Sequence, residues 1–510
     1  MRAHSHPAAR AARAEAGAGE TAPGETAPDL LDTPQAGATA IRGGAVRMAG
    51  YAIAVPANVL ASALLLRHLG VLATGDYVTV LSLVTLAGGI TDAGLATIGV
   101  RELSTLPAPV ARHFFASLCG LRLVFIFVGV AFALGFAALS GYRSTLVLGT
   151  ALAGGGFVLL TTQIGYSLPL LAQLRLGWVT AVELLRQLGA AVVVVVLVLL
   201  GSPLLPFWAA PIPAGIAATA LAGFLIRRAM PLLPRFDGAV WASLVRRTLP
   251  YSMATAVGVI YFRLAILIMS HVASGEQTGY YGASFRIIEV LFVVPQLLVG
   301  SILPIFARAA RDDRARLDYS LGRTFDVCLL LGLATGLFLI TGASFVIAVV
   351  AGPKFDPAVV VLRIQGVALI ATFAGAVLGY GLLSLGRYRE MLLINLAVLL
   401  LSGVLTSVFA SAYGAVGAAG ATTAVELLYA VGLAIALVRV GARPRVSVRG
   451  MSRAALAASL GALALIPPGL PDALRPMLAL GVYGVALVAL GAIPAELLEQ
   501  IQRRRPSRSG

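Results

Sequence analysis

The chain has a single lysine, Lys354, two cysteines, Cys119 and Cys328, and charge on only 12% of its 510 residues. Each scarcity excludes something. Two cysteines in separate apolar segments make neither a disulfide framework nor a paired-thiolate metal site. So low a charged fraction leaves a soluble body of this length without a polar shell to face water. The sequence holds no Gly-rich phosphate loop closing on Lys-Ser/Thr, no metal-ligand spacing and no nucleophile arrangement. Glycine runs such as Gly154-Gly155-Gly156 lie inside apolar segments and read as helix-packing or flexing points. No catalytic residue, metal or cofactor is expected.

What the chain has in abundance is apolar sequence: 59% of residues are hydrophobic, with a mean hydropathy of +0.93. About fourteen segments reach the roughly 20 apolar residues a helix needs to cross a bilayer. The expected fold is an all-α, polytopic integral membrane protein. Its arginines give the orientation. Of 38 Lys and Arg, about 29 fall in the termini and alternate loops, about 4 in the intervening loops and about 5 inside the apolar segments. By the positive-inside rule the rich side is cytoplasmic, which predicts a cytoplasmic membrane protein with both termini inside. The net charge of +16 does not point to nucleic acid, because the basic residues are short clusters at segment ends instead of one stripe. Membrane lipids with anionic headgroups are the simpler partner.

The loops divide the chain. Residues 1–40, rich in Ala, Gly, Glu, Thr and Pro, read as a disordered cytoplasmic tail. Residues 41–230 hold six segments, 240–440 another six, 450–495 two more, and 496–510 a basic cytoplasmic tail. A faint repeat supports two six-helix lobes: Gly75-Asp76-Tyr77 opens the second segment as Gly279-Tyr280-Tyr281 opens the eighth, an offset of 279 − 75 = 204. An even number of spans gives the two lobes the same orientation, related by an axis along the membrane normal.

Arg67-His68-Leu69-Gly70, Gly75-Asp76-Tyr77, Ser82, Asp92-Ala93-Gly94-Leu95 and Arg101-Glu102 together resemble the N-terminal signature of Wzx-type oligosaccharide flippases. These belong to the MOP superfamily, which also holds MurJ-type lipid II flippases and MATE exporters. The resemblance covers the first two segments by motif and the rest by segment count. It implies a V-shaped pair of six-helix lobes that moves a polyprenyl-pyrophosphate-linked glycan across the membrane by alternating access, for surface polysaccharide synthesis. The coupling source, whether a proton, a sodium ion or the membrane potential, is left open by the sequence.

Charges inside apolar segments cost a few kcal/mol each on insertion scales, so each is a candidate site. Arg263 lies about sixteen residues, roughly 24 Å, from the expected start of segment seven, too deep to snorkel back to the inner face. Outward snorkelling past His271 stays open. Arg286 has Glu289 at i+3 on the same helix face, which reads either as a neutralising pair or as part of a ligand site. Two arginines converging on a cavity would suit a pyrophosphate, because each can bond two phosphate oxygens. Asp92 reads first as a helix-packing or interface residue and second as a gating or coupling candidate. Asn58 reads as a helix-to-helix hydrogen bond or a cavity residue. Glu426, deep in segment twelve without an opposite charge nearby in sequence, is the proton-coupling candidate. Pro56, Pro250, Pro295 and Pro304 would bend their helices.

Several functions compete. A lipid II flippase fits the same segment count. A MATE-like exporter of cations would need a net acidic cavity, which Arg263 and Arg286 oppose. A membrane glycosyltransferase or polymerase would show catalytic acids and a sizeable outer loop, and a non-transporting scaffold would not need inward-facing charge.

Overall fold

The computed structural model describes residues 35–92, 94–465 and 469–492; the expected tails up to residue 34 and over 496–510 lie outside the described residues. The fold is all-α. In chain order the helices are α1 (Gln35–Asp92), α2 (Leu95–Leu103), α3 (Ala108–Leu139), α4 (Ser144–Ala172), α5 (Leu176–Leu199), α6 (Leu204–Ala209), α7 (Pro211–Ile226), α8 (Gly238–Val272), α9 (Gly275–Asp312), α10 (Arg314–Val350), α11 (Ala358–Ser384), α12 (Tyr388–Arg439), α13 (Val448–Ala462) and α14 (Leu474–Ala489). Among the described residues ten helices, with α6 and α7 counted together, are long and apolar enough to cross a membrane. The protein is a multi-pass membrane protein.

Two of the ten make two passes each. Helix α1 has 58 residues, about 87 Å if straight, nearly three hydrocarbon thicknesses. It reverses at Gly70, whose φ of 71° is left-handed, a conformation that glycine adopts without a Cβ clash. Before the break the chain climbs α5: Gly50 lies against Thr180, Asn58 bonds Gln187 and His68 reaches the Ser202 carbonyl. After it the chain descends between α8 and α9, with Gly75 on Gly279, Val78 on Gly282 and Gly89 on Val259. Helix α12 does the same at Gly414, φ 57°. There the Ala415 amide, released from the helix ladder, donates to Gln277 Oε1 at 2.8 Å. The two reversals turn ten helices into twelve passes.

Two details differ from the sequence reading, and a third concerns span length. Residues 35–40, expected in the tail, are the first turns of α1, as alanines at 36, 38 and 40 favour. The second expected segment, 76–98, is not one helix: α1 ends at Asp92 and α2 starts after Gly94, φ 87°, so the Asp92-Ala93-Gly94-Leu95 motif marks a break. The last two segments are short. Helices α13 and α14 have 15 and 16 residues, under the usual span length. They pack on each other and on α10, and Tyr483 donates to the Leu330 carbonyl at 3.0 Å.

Helices α1 and α3–α7 pack largely among themselves, as do α8–α12, and the two sets meet where the returning half of α1 lies on α8 and α9. Small residues make the contacts close, as expected where lipid gives no hydrophobic drive between helices. Gly332 and Gly336 of α10 receive Phe373 and Ile370 of α11. The crossing of α1 and α9 is locally two-fold. A methyl at Gly75 would lie 2.7 Å from the Gly275 carbonyl oxygen, and one at Gly279 would strike the Val71 carbonyl. The pairs 75/279 and 71/275 are both 204 apart, so each contact is the image of the other, as in an isologous interface.

Gly279→Ala should lower stability in detergent by about 1–3 kcal/mol through this backbone clash. Gly135→Ala, where a methyl would meet nothing within 4 Å, should be near neutral, and equal melting temperatures for the two variants would contradict the close crossing. Single cysteines at 311, in the last turn of α9, and at 354, just beyond α10, flank α10 and should be labelled from opposite faces by an impermeant reagent; labelling from one face would refute the passage of α10.

Candidate functional site

The site is built where α8 and α9 run antiparallel from their short turn beside the returning half of α1. Arg263 lies 272 − 263 = 9 residues before the end of α8, and Arg286 lies 286 − 275 = 11 residues after the start of α9, about 14 and 16 Å along their helices. Both stand well inside a hydrocarbon core of roughly 30 Å. The carboxylate of Glu289 joins them. One oxygen accepts from Arg263 Nη2, and the other accepts from Arg286 Nη1 at 2.9 Å.

Aromatic rings frame the three charges. The Arg263 guanidinium lies 5.6 Å from the Phe262 ring and 5.4 Å from that of Phe285, and Arg286 lies 5.9 Å from Tyr77. These are cation–π distances. Tyr77 comes from the returning half of α1, so the cluster is shared across the meeting of the two helix sets. Arg263 is buried at 8% exposure, and its Nε lacks an acceptor. Arg286 and Glu289 keep about a quarter of their side-chain surface. Two guanidinium groups and one carboxylate leave a net charge of +1. An anion entering here meets an unneutralised cation and an N–H without an acceptor, while a cation meets repulsion.

Helix α8 runs from Gly238, before the expected start of segment seven, to Val272. Arg263 lies 9 residues before that end. It does not snorkel outward but turns onto Glu289, because a partner within the bilayer costs less than stretching past His271. Arg286 and Glu289 do pair, as their spacing predicts, and Arg263 joins the same carboxylate.

The other candidates lie elsewhere. Asn58 donates to Gln187 Oε1 at 2.9 Å and to the Ala54 carbonyl at 2.8 Å. Gln187 in turn donates to Glu183, which pairs with Arg186, so Asn58 belongs to a polar chain tying α1 to α5. Glu426 is buried between α8, α11 and α12, accepting from Tyr261 at 2.6 Å and Thr372 at 3.0 Å. Around it lies a cavity of about 40 Å³ lined by Tyr281, Gln365, Ser402 and Thr422 among others. Among the described residues no basic side chain pairs with Glu426. Asp92 is the last residue of α1, and its side chain lies outside the described residues.

Sequence reasoning missed Tyr77, Tyr261 and Thr372. Tyr77 was noted only as punctuation in Gly-Asp-Tyr, and no periodicity distinguishes an aromatic facing an arginine from one facing lipid. The adjacency of Phe262 to Arg263 was visible but ambiguous.

This arrangement of helices has relatives of known structure. A lipid II flippase MurJ in an inward closed conformation superposes with a TM-score of 0.71, covering 87% of this chain and 98% of its own at 12% identity. The fold is that of membrane flippases and exporters. An inward-facing multidrug resistance MATE transporter of the MOP superfamily gives 0.61 at 13% identity, covering 80% and 99%. A MOP superfamily transporter from Pyrococcus furiosus Vc1, for which reversed polarity of the binding pocket suggests a different function, gives 0.57 at 15% identity over 82% and 99%. No family model and no curated protein sequence matches the chain.

Glu289 is expected to hold the cluster together. Glu289→Gln strands two guanidinium groups in the membrane interior and should cost about 3 kcal/mol in unfolding experiments. A double-mutant cycle of Arg263→Met with Glu289→Leu should return a coupling of about 1–3 kcal/mol, whereas strict additivity would mean that the pair does not form in the membrane.

Proposed function

We propose that this protein is a flippase that carries a polyprenyl-pyrophosphate-linked oligosaccharide across the cytoplasmic membrane by alternating access, for surface polysaccharide synthesis. The observation that carries the reading is the Arg263–Glu289–Arg286 cluster, a net positive site deep in the membrane where two helix sets meet. The two sets act as lobes, with boundaries near residues 41–230 and 240–440. The arginine-rich face is cytoplasmic, and so are both termini. The pyrophosphate engages Arg286 and the free side of Arg263 in competition with Glu289, and partial exposure of Arg286 and Glu289 leaves room for that exchange. Guanidinium forks favour such a ligand because each aligns two N–H groups with two phosphate oxygens. No covalent chemistry is required.

Coupling is assigned to Glu426, with a proton as the coupling ion and sodium as the rival. A buried carboxylate held by two hydroxyls and no cation has to take up a proton or a metal ion to be neutral in the bilayer. Asp92, at the end of the returning half of α1, is a gating candidate. Asn58 is assigned to packing.

A second reading, a lipid II flippase, is favoured by the superposition on MurJ. Both cargoes present a pyrophosphate, so the cationic cluster serves either. A MATE-like exporter of cationic drugs fits less well, because the cluster repels its cargo. The structural neighbours are transporters and flippases rather than enzymes, which weighs against a glycosyltransferase or polymerase. A non-transporting scaffold would have no use for charge at this depth.

Reconstituted protein should translocate a fluorescent polyprenyl-pyrophosphate oligosaccharide. Arg263→Ala and Arg286→Ala should each slow it about ten-fold or more, the worth of one charge-assisted hydrogen bond, with Arg311→Ala as a control near wild type. Wild-type rates in both cluster variants would sink the anion site, and transport of lipid II alone would select the second reading.

A further inference from the structure

The arginine-rich face holds a second cationic site that the transport reading does not use. A cavity of about 320 Å³ opens between α10, the start of α13 and the end of α14, lined by Arg323, Asp326, Arg449 and Arg453. Three arginines against one aspartate leave the lining at +2. Arg453 reaches the Gly491 carbonyl at 3.4 Å, so its side chain spans from α13 to α14. Ser447 and Gly450 complete the polar wall, and Leu329, Leu330, Met451 and Ala454 form an apolar floor.

Depth says what such a cavity meets. Counting about 20 residues back from Val350, the far end of α10, ends the hydrocarbon core near Leu330. Asp326 and Arg323 then lie one to two turns further out, in the headgroup layer, while Leu329 and Leu330 mark its boundary with the acyl chains. Val448, Leu456 and Val488 expose apolar side chains on the same two short helices. A free anion would use the arginines and gain nothing from an apolar floor. A lipid uses both: phosphate oxygens bond the guanidinium groups bidentately, and the glycerol and upper acyl chain cover the leucines. Basic pockets between helices at this level suit anionic headgroups.

We infer that this pocket binds the headgroup of an anionic phospholipid, with Arg449 and Arg453 on the phosphate and Arg323 held by Asp326 at its edge. The lipid then bridges α13 and α14 to α10, fastening a pair of helices too short to be secured by spanning the bilayer alone. The proposal stands apart from the transport reading, since it concerns a resident lipid and not cargo.

The test uses the whole protein in neutral detergent, titrated with short-chain phosphatidylglycerol, phosphatidylcholine or inorganic phosphate and followed by thermal unfolding and native mass spectrometry. Phosphatidylglycerol should raise the melting temperature and remain bound as discrete adducts. Each arginine near a headgroup is worth about five-fold in affinity, so Arg449→Gln with Arg453→Gln should weaken the effect about twenty-five-fold. The corresponding Arg→Lys double variant, which keeps charge and loses the fork, should fall between. Arg308→Gln with Arg311→Gln, basic residues elsewhere on the same face, should bind like wild type. An equal response to phosphatidylcholine, an equal response to inorganic phosphate, or equal losses in both glutamine pairs would each overturn the proposal. Should the first pair fail to fold, the lysine pair and the wild-type lipid comparison decide it.

Discussion

In hydrocarbon a polar group must find its partner inside the protein, and the architecture follows from that requirement. The backbone meets it by remaining helical and by turning only where it can be paired again. Gly70 and Gly414 allow two long helices to double back, and at Gly414 the amide freed by the turn is taken up by the side chain of Gln277. Side chains obey the same rule. Arg263 and Arg286 share Glu289, Asn58 is tied through Gln187 to Glu183, and Glu426 accepts two hydroxyl hydrogen bonds.

The α1–α9 crossing shows how a nearly symmetric backbone carries asymmetric chemistry. Glycines related by 204 residues meet there, each receiving the other's neighbouring carbonyl. Yet the positions equivalent to Arg286 and Glu289 are 286 − 204 = 82 and 289 − 204 = 85, occupied by Ser82 and Thr85. The polar cluster is therefore built on one side of the crossing, with Tyr77 the contribution from the other.

Much was legible beforehand, for identifiable reasons. Apolar run length gave the helical passes because bilayer thickness sets a minimum span. The i,i+3 spacing of Arg286 and Glu289 predicted their pairing because helical periodicity puts them on one face. Gly75 and Gly279 were recognised as equivalent, although nothing in the sequence said that they touch. The start of α8 was not legible, because Arg246 and Arg247 interrupt the apolar pattern while the helix runs through them from Gly238, capped by Asp237. The break at Gly94 was hidden because apolar residues resume right after Thr91-Asp92, and hydropathy averaged over a span does not register a turn.

Sequence alone determined that the chain lives in a membrane, that it is helical, and which of its charges lie too deep to be casual, because composition and period act locally and the bilayer constrains every segment alike. Only the tertiary structure decided which deep charges neutralise one another, which carboxylate is left with hydroxyls, and which arginines at the surface share a cavity. Those outcomes depend on contacts between helices distant in sequence. Glu289 bonding Arg263 across 26 residues, or Tyr261 meeting Glu426 across 165, is fixed by how helices cross, and no local pattern records that.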